Sequence, residues 1–462
     1  MKGYNLKIVL GQNLKILPFL GILAVLGLGG CENPWMKEAV APLYKNKEGG
    51  ENNGGGSGGS NYHLTLYVAQ TGSDITGDGT ADNPYATMDK ALGAIKTAYT
   101  DSAWPGRGTA AAGPARILVS GTINTGAPSP ALFNIEDSAL YAGCPPVTLA
   151  GKTADDNYNK LNAGTSPRAL YTHNVDVTLA GGLTLTGGDA SGVYVDAGGT
   201  FTMTGGAIRG NTGGLGGGVY VYTGGVFTMK GGTIGGSNTG EGNTAVSGGA
   251  AGGGVYVSAG GTFTMSGSTA AIKGNSAGSG GGVYVSGSGA SFTMTGGTIG
   301  GSNPAEKNSA VIGGSGGGVY VSAGGTFIMS GSTAAIKGNS AGSGGGVYVS
   351  GSGASFTMNG GTIGGAASGE GNTTTTGSGG GVYVYNGGTF AMSGSTAAIK
   401  GNSAGSGGGV YFNSSGKTFT MNGGTIGGST TGEKNTATSN GGGVYVAAGD
   451  FEMGAGAKIS GN

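Results

Sequence analysis

One stretch sets the terms for the whole chain: Gly252 to Asn275, GGGVYVSAGGTFTMSGSTAAIKGN. It holds two short apolar alternations, Val255-Tyr256-Val257 and Phe263-Thr264-Met265, followed by Ile272 and Asn275. The unit recurs nine times between about residue 190 and the C-terminus. Its tyrosines are Tyr194, Tyr220, Tyr256, Tyr284, Tyr320, Tyr348, Tyr383, Tyr411 and Tyr445. Its asparagines are Asn211, Asn243, Asn275, Asn308, Asn339, Asn372, Asn402 and Asn435, with Asn462 after them. The asparagines keep a period near 32 residues, whereas the tyrosine spacing alternates between about 28 and about 35 from Tyr220 onward. A self-similar unit of this length marks a solenoid: one unit cannot bury its own apolar face, but a stack of them makes a continuous core.

Each coil reads as three strands: Val-Tyr-Val, Phe-Thr-Met, and a third centred on Ile272 or its equivalents. Side chains alternate across a strand, so the valines, Phe and Met point inward, and Tyr and Thr outward. Gly-Gly pairs supply the corners. Each Asn is expected at a bend, where it tolerates the left-handed region, with its amide bonded to the amide of the next coil. Parallel, in-register coils rise ~4.8 Å each, so nine of them span roughly 43 Å.

Composition sharpens this reading. Gly makes up 113 of 462 residues, a level that in an aperiodic chain indicates disorder. Here the β-branched and aromatic residues return at fixed places, which disordered segments lack. The 22 basic and 22 acidic residues cancel, with no basic patch for nucleic acid. The two cysteines, Cys31 and Cys144, lie in unlike contexts, which argues against a disulfide scaffold.

Residues 1–31 read as an export signal. Lys2, Lys7 and Lys15 precede a 13-residue apolar run from Ile16 to Leu28, short for a bilayer span. The ending Leu28-Gly29-Gly30-Cys31 resembles the lipobox of bacterial lipoproteins. That resemblance implies lipidation of Cys31 and membrane attachment through the lipid. Glu32, where an inner-membrane retention signal would carry Asp, implies an outer-membrane or cell-surface address. Residues 32–61, ending in EGGENNGGGSGGSN, have no apolar face and read as a flexible tether.

Residues 62–190 read as a cap followed by irregular coils. Leu64 to Val68 alternates as a strand, and Thr87 opens a helix with Met88, Ala91, Leu92 and Ile95 on one face. Further strands are expected at Ala115–Val119, Val147–Gly151 and Val175–Leu179. Tyr67, Val68, Gly72, Asp74, Gly79, Thr80, Pro84, Thr87 and Ala91 resemble the N-terminal cap of bacterial right-handed parallel β-helix proteins, whose short helix covers the open end of the stack. The fold class is therefore all-β, a right-handed parallel β-helix with three strands per coil and a short N-terminal capping helix. Residues 191–462 form its regular part.

The unit GNSAGSGGGVYV resembles the GGA[IV] repeats of chlamydial polymorphic outer-membrane proteins and related β-helix adhesins. The resemblance implies an adhesin-like surface role. It covers residues 190–462 and departs from that family in two respects. Ile-x-Gly-Asn stands where the FxxN half of the motif would be, and no autotransporter-type β-barrel follows the repeats. The chain stops within a repeat at Asn462, which would leave a coil edge open for self-association.

Sites of chemistry are sparse in the sequence, and no cofactor is indicated. SGGGVYV lacks the Asp of calcium-binding nonapeptides and the Lys-Ser/Thr of a phosphate loop. Asp74, Asp78 and Asp82 are weak candidates for calcium, against a turn-forming role. Cys144 has no histidine placed to activate it, since the chain contains only His63 and His173. Glu241, Glu306, Glu370 and Glu433 alternate with Lys273, Lys337 and Lys400, and read as solvated surface; Arg209 reads as standing apart from carboxylates. The tyrosines form either a strip that binds glycan or host matrix, or a stack that stiffens the sheet. An alternative is a carbohydrate-active enzyme using Asp155, Asp156 and Asp176 with Lys152 or Arg168 in the irregular coils. A passive coat or spacer is the third reading.

Overall fold

The computed structural model describes residues 64–100, 114–124, 145–164, 166–246, 249–311, 313–375 and 377–462. The signal, Cys31, the tether, His63 and Cys144 lie outside the described residues. The described chain winds as a parallel β-helix in which like residues of successive coils pair in register.

Three columns of strands carry the core. In the first, Ser191–Val195 pairs with Val219–Val221 and that with Val255–Val257, aligning Tyr194, Tyr220 and Tyr256. In the second, Thr200–Met203 pairs with Val226–Met229, Phe on Phe and Met on Met. In the third, Thr233–Gly235 pairs with Ala271–Lys273, Ile on Ile. Alternation does what the pleat demands: Val255, Val257, Phe263, Met265 and Ile272 are fully buried, and Tyr256 and Thr264 are not. Phe227, Phe263, Phe292, Phe327 and Phe356 stack face to face at 4.6–4.7 Å between centroids. Full burial of each ring is worth about 1.5–3 kcal/mol, and each stacked pair adds roughly 0.5–1.5 kcal/mol.

The N-terminal section belongs to the same column. Leu64–Ala69 pairs with Ala115–Ser120, then Val147–Gly151, then Asp176–Leu179, which pairs with Thr200–Met203. One apolar core therefore runs from Leu64 to Ile426. The helix Met88–Thr100 packs Met88, Ala91, Leu92 and Ile95 onto it, as the spacing predicts. Its start is fixed by Asp74, whose carboxylate accepts the Ala86 and Thr87 amides and the Thr87 hydroxyl.

Two features add to this reading. The coil has a fourth piece: two-residue strands such as Ser276–Ala277, directly after the asparagine, form an eight-stranded sheet of their own. The ladder asparagines do not adopt positive φ, which among non-glycine residues is confined to Asn174 and Asn386 of the described chain. The preceding glycine takes that role in alternate coils, as at Gly274 (φ 69°) and Gly338 (φ 65°). The triple glycine has its own cause. Gly252 sits at φ 68°, and a Cβ on Gly254 would come within 2.6 Å of the Gly282 carbonyl and 2.7 Å of the Ile272 methyl. Coil packing at this corner leaves no room for a side chain.

Candidate functional site

The outward tyrosines form one unbroken row. It begins one coil earlier than the repeat motif shows, because Tyr171 pairs with Tyr194. Register then carries the row through Tyr220, Tyr256, Tyr284, Tyr320, Tyr348 and Tyr383 to Tyr411 and Tyr445. The rings are half-buried, Tyr348 most deeply at 8% exposure.

Their orientation limits their chemistry. Tyr256, Tyr284, Tyr320 and Tyr348 stack on one another, with centroids 4.6–5.4 Å apart. Ring faces are thus turned to neighbouring rings, and edges and hydroxyls to the outside. Towards both ends the pairs Tyr194–Tyr220, Tyr220–Tyr256, Tyr348–Tyr383 and Tyr383–Tyr411 become T-shaped. The row presents hydroxyl-bearing ring edges, not a flat stacking platform.

A second outward row lies two residues on. It reads His173, Asp196, Tyr222, Ser258, Ser286, Ser322, Ser350, Tyr385 and Asn413. The Ser258, Ser286, Ser350 and Asn413 side chains, each one coil on, partly offset the burial that raises the Tyr220, Tyr256, Tyr320 and Tyr383 phenols. Burial, with the neighbouring Tyr284, pushes the Tyr320 phenol up to about 12. Burial and the Asp196 carboxylate push Tyr194 up as well.

The early end of this face is chemically mixed. Tyr171 donates a hydrogen bond to Asp196, and His173 Nδ1 lies 3.4 Å from the same carboxylate. The Arg168 guanidinium sits 4.4 Å from the centroid of the Tyr194 ring. Nothing in the repeat motif marks this cluster, since these residues lie before or at the first repeat.

The residues singled out for acid–base chemistry serve separate local roles. Asp155 accepts the Asn157 and Tyr158 amides of its own turn. Asp156 pairs with Arg209 at 3.3 Å. Lys152 lies over Tyr67, Arg168 over Tyr194, and Asp176 is exposed at a strand start. Of the calcium candidates, Asp74 is engaged by the helix start, Asp78 accepts the Thr80 amide, and Asp82 is exposed. Among the described residues no three His, Cys, Asp or Glu side chains are grouped to hold a metal ion.

The repeated charges are not independent solvated groups. Lys273 bonds Glu306 at 3.0 Å, Lys337 bonds Glu370 at 2.8 Å and Lys400 bonds Glu433 at 3.0 Å, all part-buried. Arg209, expected to stand apart, heads this series: it pairs with Glu241 at 3.0 Å as well as with Asp156. The partners are 32 or 33 residues apart, one coil, which is why the pairing escapes a local reading of the sequence.

The asparagines form the predicted ladder. From Asn211 to Asn435 each Nδ2 donates to the Oδ1 of the next asparagine at 2.9–3.0 Å. Beyond Asn211, each Nδ2 also donates to a core Ile carbonyl one coil back, as Asn308 does to Ile272 at 2.8 Å. All eight are essentially inaccessible to solvent. Their role is structural.

The chain matches no protein family, and comparison with curated proteins and with solved structures finds no match. The fold and its ladders define it as a parallel β-helix repeat protein.

Proposed function

We propose that this chain is an exported, lipid-anchored surface protein whose shaft serves an adhesin-like role, offering its tyrosine face to an extended ligand such as a glycan or host matrix. The observation that carries this reading is the unbroken tyrosine row, with ring centroids 4.6–5.4 Å apart along the regular coils. A surface that repeats every coil suits a ligand that repeats along its length. Half-buried ring edges contribute apolar contact, and the phenol and serine hydroxyls contribute hydrogen bonds. The lipobox-like ending at Cys31 and the Gly-rich tether supply the anchor in this reading.

The test is a panel of polysaccharides and matrix proteins presented to the purified full chain. The expected result is retention of at least one polymer without release of reducing or unsaturated ends. A variant with Tyr220, Tyr256, Tyr284 and Tyr320 all changed to Phe keeps the rings and loses the hydroxyls; it should bind at least tenfold more weakly. Binding that is indifferent to these changes, or turnover of the polymer, would count against the reading. Labelling with a radioactive fatty acid, present in the native chain and absent from Cys31→Ser, tests the anchor.

A further inference from the structure

Away from the tyrosine row, three early coils break the pattern of the third-strand column. Lys160–Asn162 pairs with Thr184–Thr186, setting Lys160 beside Thr184 and Asn162 beside Thr186. Thr184–Thr186 pairs in turn with Ala207–Ile208, and Arg209 follows directly. The turn holding Asn157 and the loop holding Gly240 and Glu241 close the sides. Between them lies a cavity of about 160 Å³, lined by Asn157, Lys160, Thr184, Thr186, Arg209 and Glu241. At Gly240 an added Cβ would meet no atom within 4 Å, so the rim is open there.

Arg209 is fully engaged in building this place. Its guanidinium donates to Glu241 at 3.0 Å, to the Asn157 side chain at 2.9 Å and to the Thr184 hydroxyl at 3.2 Å. Asp156 pairs with it from the turn at 3.3 Å. Lys273, Lys337 and Lys400 occupy the equivalent position in later coils, each held by a single glutamate. The exchange of Lys for Arg here fastens two loops around a hollow. Lys160, by contrast, forms no ion pair among the described residues. Glu241 lines the cavity with Lys160 and Arg209, and Asp156, paired with Arg209 from the adjoining turn, brings the whole cluster to neutrality.

The lining therefore offers an ammonium donor, hydroxyls that donate and accept, and a side-chain amide, with no aromatic wall; its one excess positive charge is offset by Asp156, paired with Arg209 outside the lining. The volume corresponds to roughly five water molecules at ~30 Å³ each, the scale of one hydroxylated ring and well below a drug-sized pocket. We propose that this cavity binds a single neutral sugar unit, with Lys160 and Thr186 as direct hydrogen-bonding contacts and Arg209 as a positioning residue. The proposal rests on the glycan-binding reading for its ligand class, but uses none of the tyrosine face.

The experiment is ligand-observed saturation-transfer NMR on the purified full chain. The probes are methyl glycosides of glucose, galactose, mannose and N-acetylglucosamine, with glucuronate and glucosamine as charged counterparts. The expected result is saturable binding of at least one neutral glycoside, with its charged counterpart at least tenfold weaker. Lys160→Met and Thr186→Val should each weaken that binding about tenfold while keeping the β circular dichroism signal. The four-tyrosine Phe variant should bind the monosaccharide like the native chain. Absence of saturable binding, tighter binding of a charged probe, or indifference to both cavity substitutions would overturn the proposal. Monosaccharide binding lost in the tyrosine variant but kept in Lys160→Met would overturn it while leaving the tyrosine-face reading intact.

Discussion

The asparagine corner and the tyrosine row are built on the same rule, one identical residue per coil, yet they differ in what they tolerate. Each asparagine is buried, and its amide is used on both sides: Asn308 accepts the Asn275 backbone and side-chain N–H groups and donates to Ile272 and Asn339. No other side chain supplies a donor and an acceptor in that geometry, so the file runs without substitution from Asn211 to Asn462. The tyrosines are only partly buried apart from Tyr348, their ring pairings differ along the row between stacked and T-shaped, and the row beside them changes from serine to His173, Asp196 and Tyr222 at one end. Burial with full hydrogen bonding fixes both the residue and its geometry, whereas the part-exposed tyrosines keep their identity but not one ring pairing, and residue type varies only in the row beside them.

Breaking the buried file should therefore cost most. Asn308→Ala strands the Asn275 N–H groups and the Ile272 carbonyl; at about 1–3 kcal/mol per orphaned group, a loss of roughly 3 kcal/mol or more is expected. Urea denaturation of the full chain would register it as a lower midpoint, and a midpoint close to that of the native chain would refute it.

A smaller effect should come from alkali, which reaches the tyrosines and not the asparagines. Tyr320 has its phenol raised from 10.0 to about 12 by burial and by Tyr284. A raised folded pKa leaves stability intact below about 10 and erodes it as the pH climbs through about 12. Phenolate absorbance should accordingly appear above the usual phenol range, together with loss of the β signal; titration in the ordinary range would contradict the half-buried row.

Acid acts on the ionic pairs, which are part-exposed and should matter less. The Lys337 ammonium holds the Glu370 carboxyl below its usual range, and the Lys400 ammonium brings Glu433 down to about 2. A depressed folded pKa gives stability that is present above about 4.5 and lost as the pH falls through about 2. Native chain should lose melting temperature across that window, and Glu370→Gln should flatten the loss. The smallest change is expected for Tyr284→Phe, which keeps both ring stacks; a shift of the melting midpoint beyond about 2 °C would mean that the hydroxyl is more than a surface group.

The same contrast explains what could be read from residues alone. Val255, Phe263, Met265, Ile272 and Asn275 recur at short, fixed offsets, and strand alternation turns those offsets into inside and outside. The helix at Met88–Thr100 carries its apolar stripe locally and was equally legible. Two-residue strands such as Ser276–Ala277 return after each asparagine but are too short to show the alternation that marks a strand, so their pairing emerges only from the register. The Lys–Glu pairs and the Arg209 cavity join residues a full coil apart, so they emerge only once the register is known. Tyr171 escaped because its strand, Arg168–Thr172, lacks the glycines and flanking valines that mark the later coils.

The most direct test is the register itself. In a background lacking Cys31 and Cys144, spin labels at Thr264→Cys and Thr293→Cys should occupy paired outward positions on adjacent strands, ~4.8 Å apart at the backbone. Labels at Thr264→Cys and Thr357→Cys should sit three coils apart, about 14 Å at the same rise. The account predicts strong dipolar broadening for the first pair and clearly weaker broadening for the second. Equal spectra from the two pairs, or an unbroadened first pair, would contradict a parallel β-helix in this register.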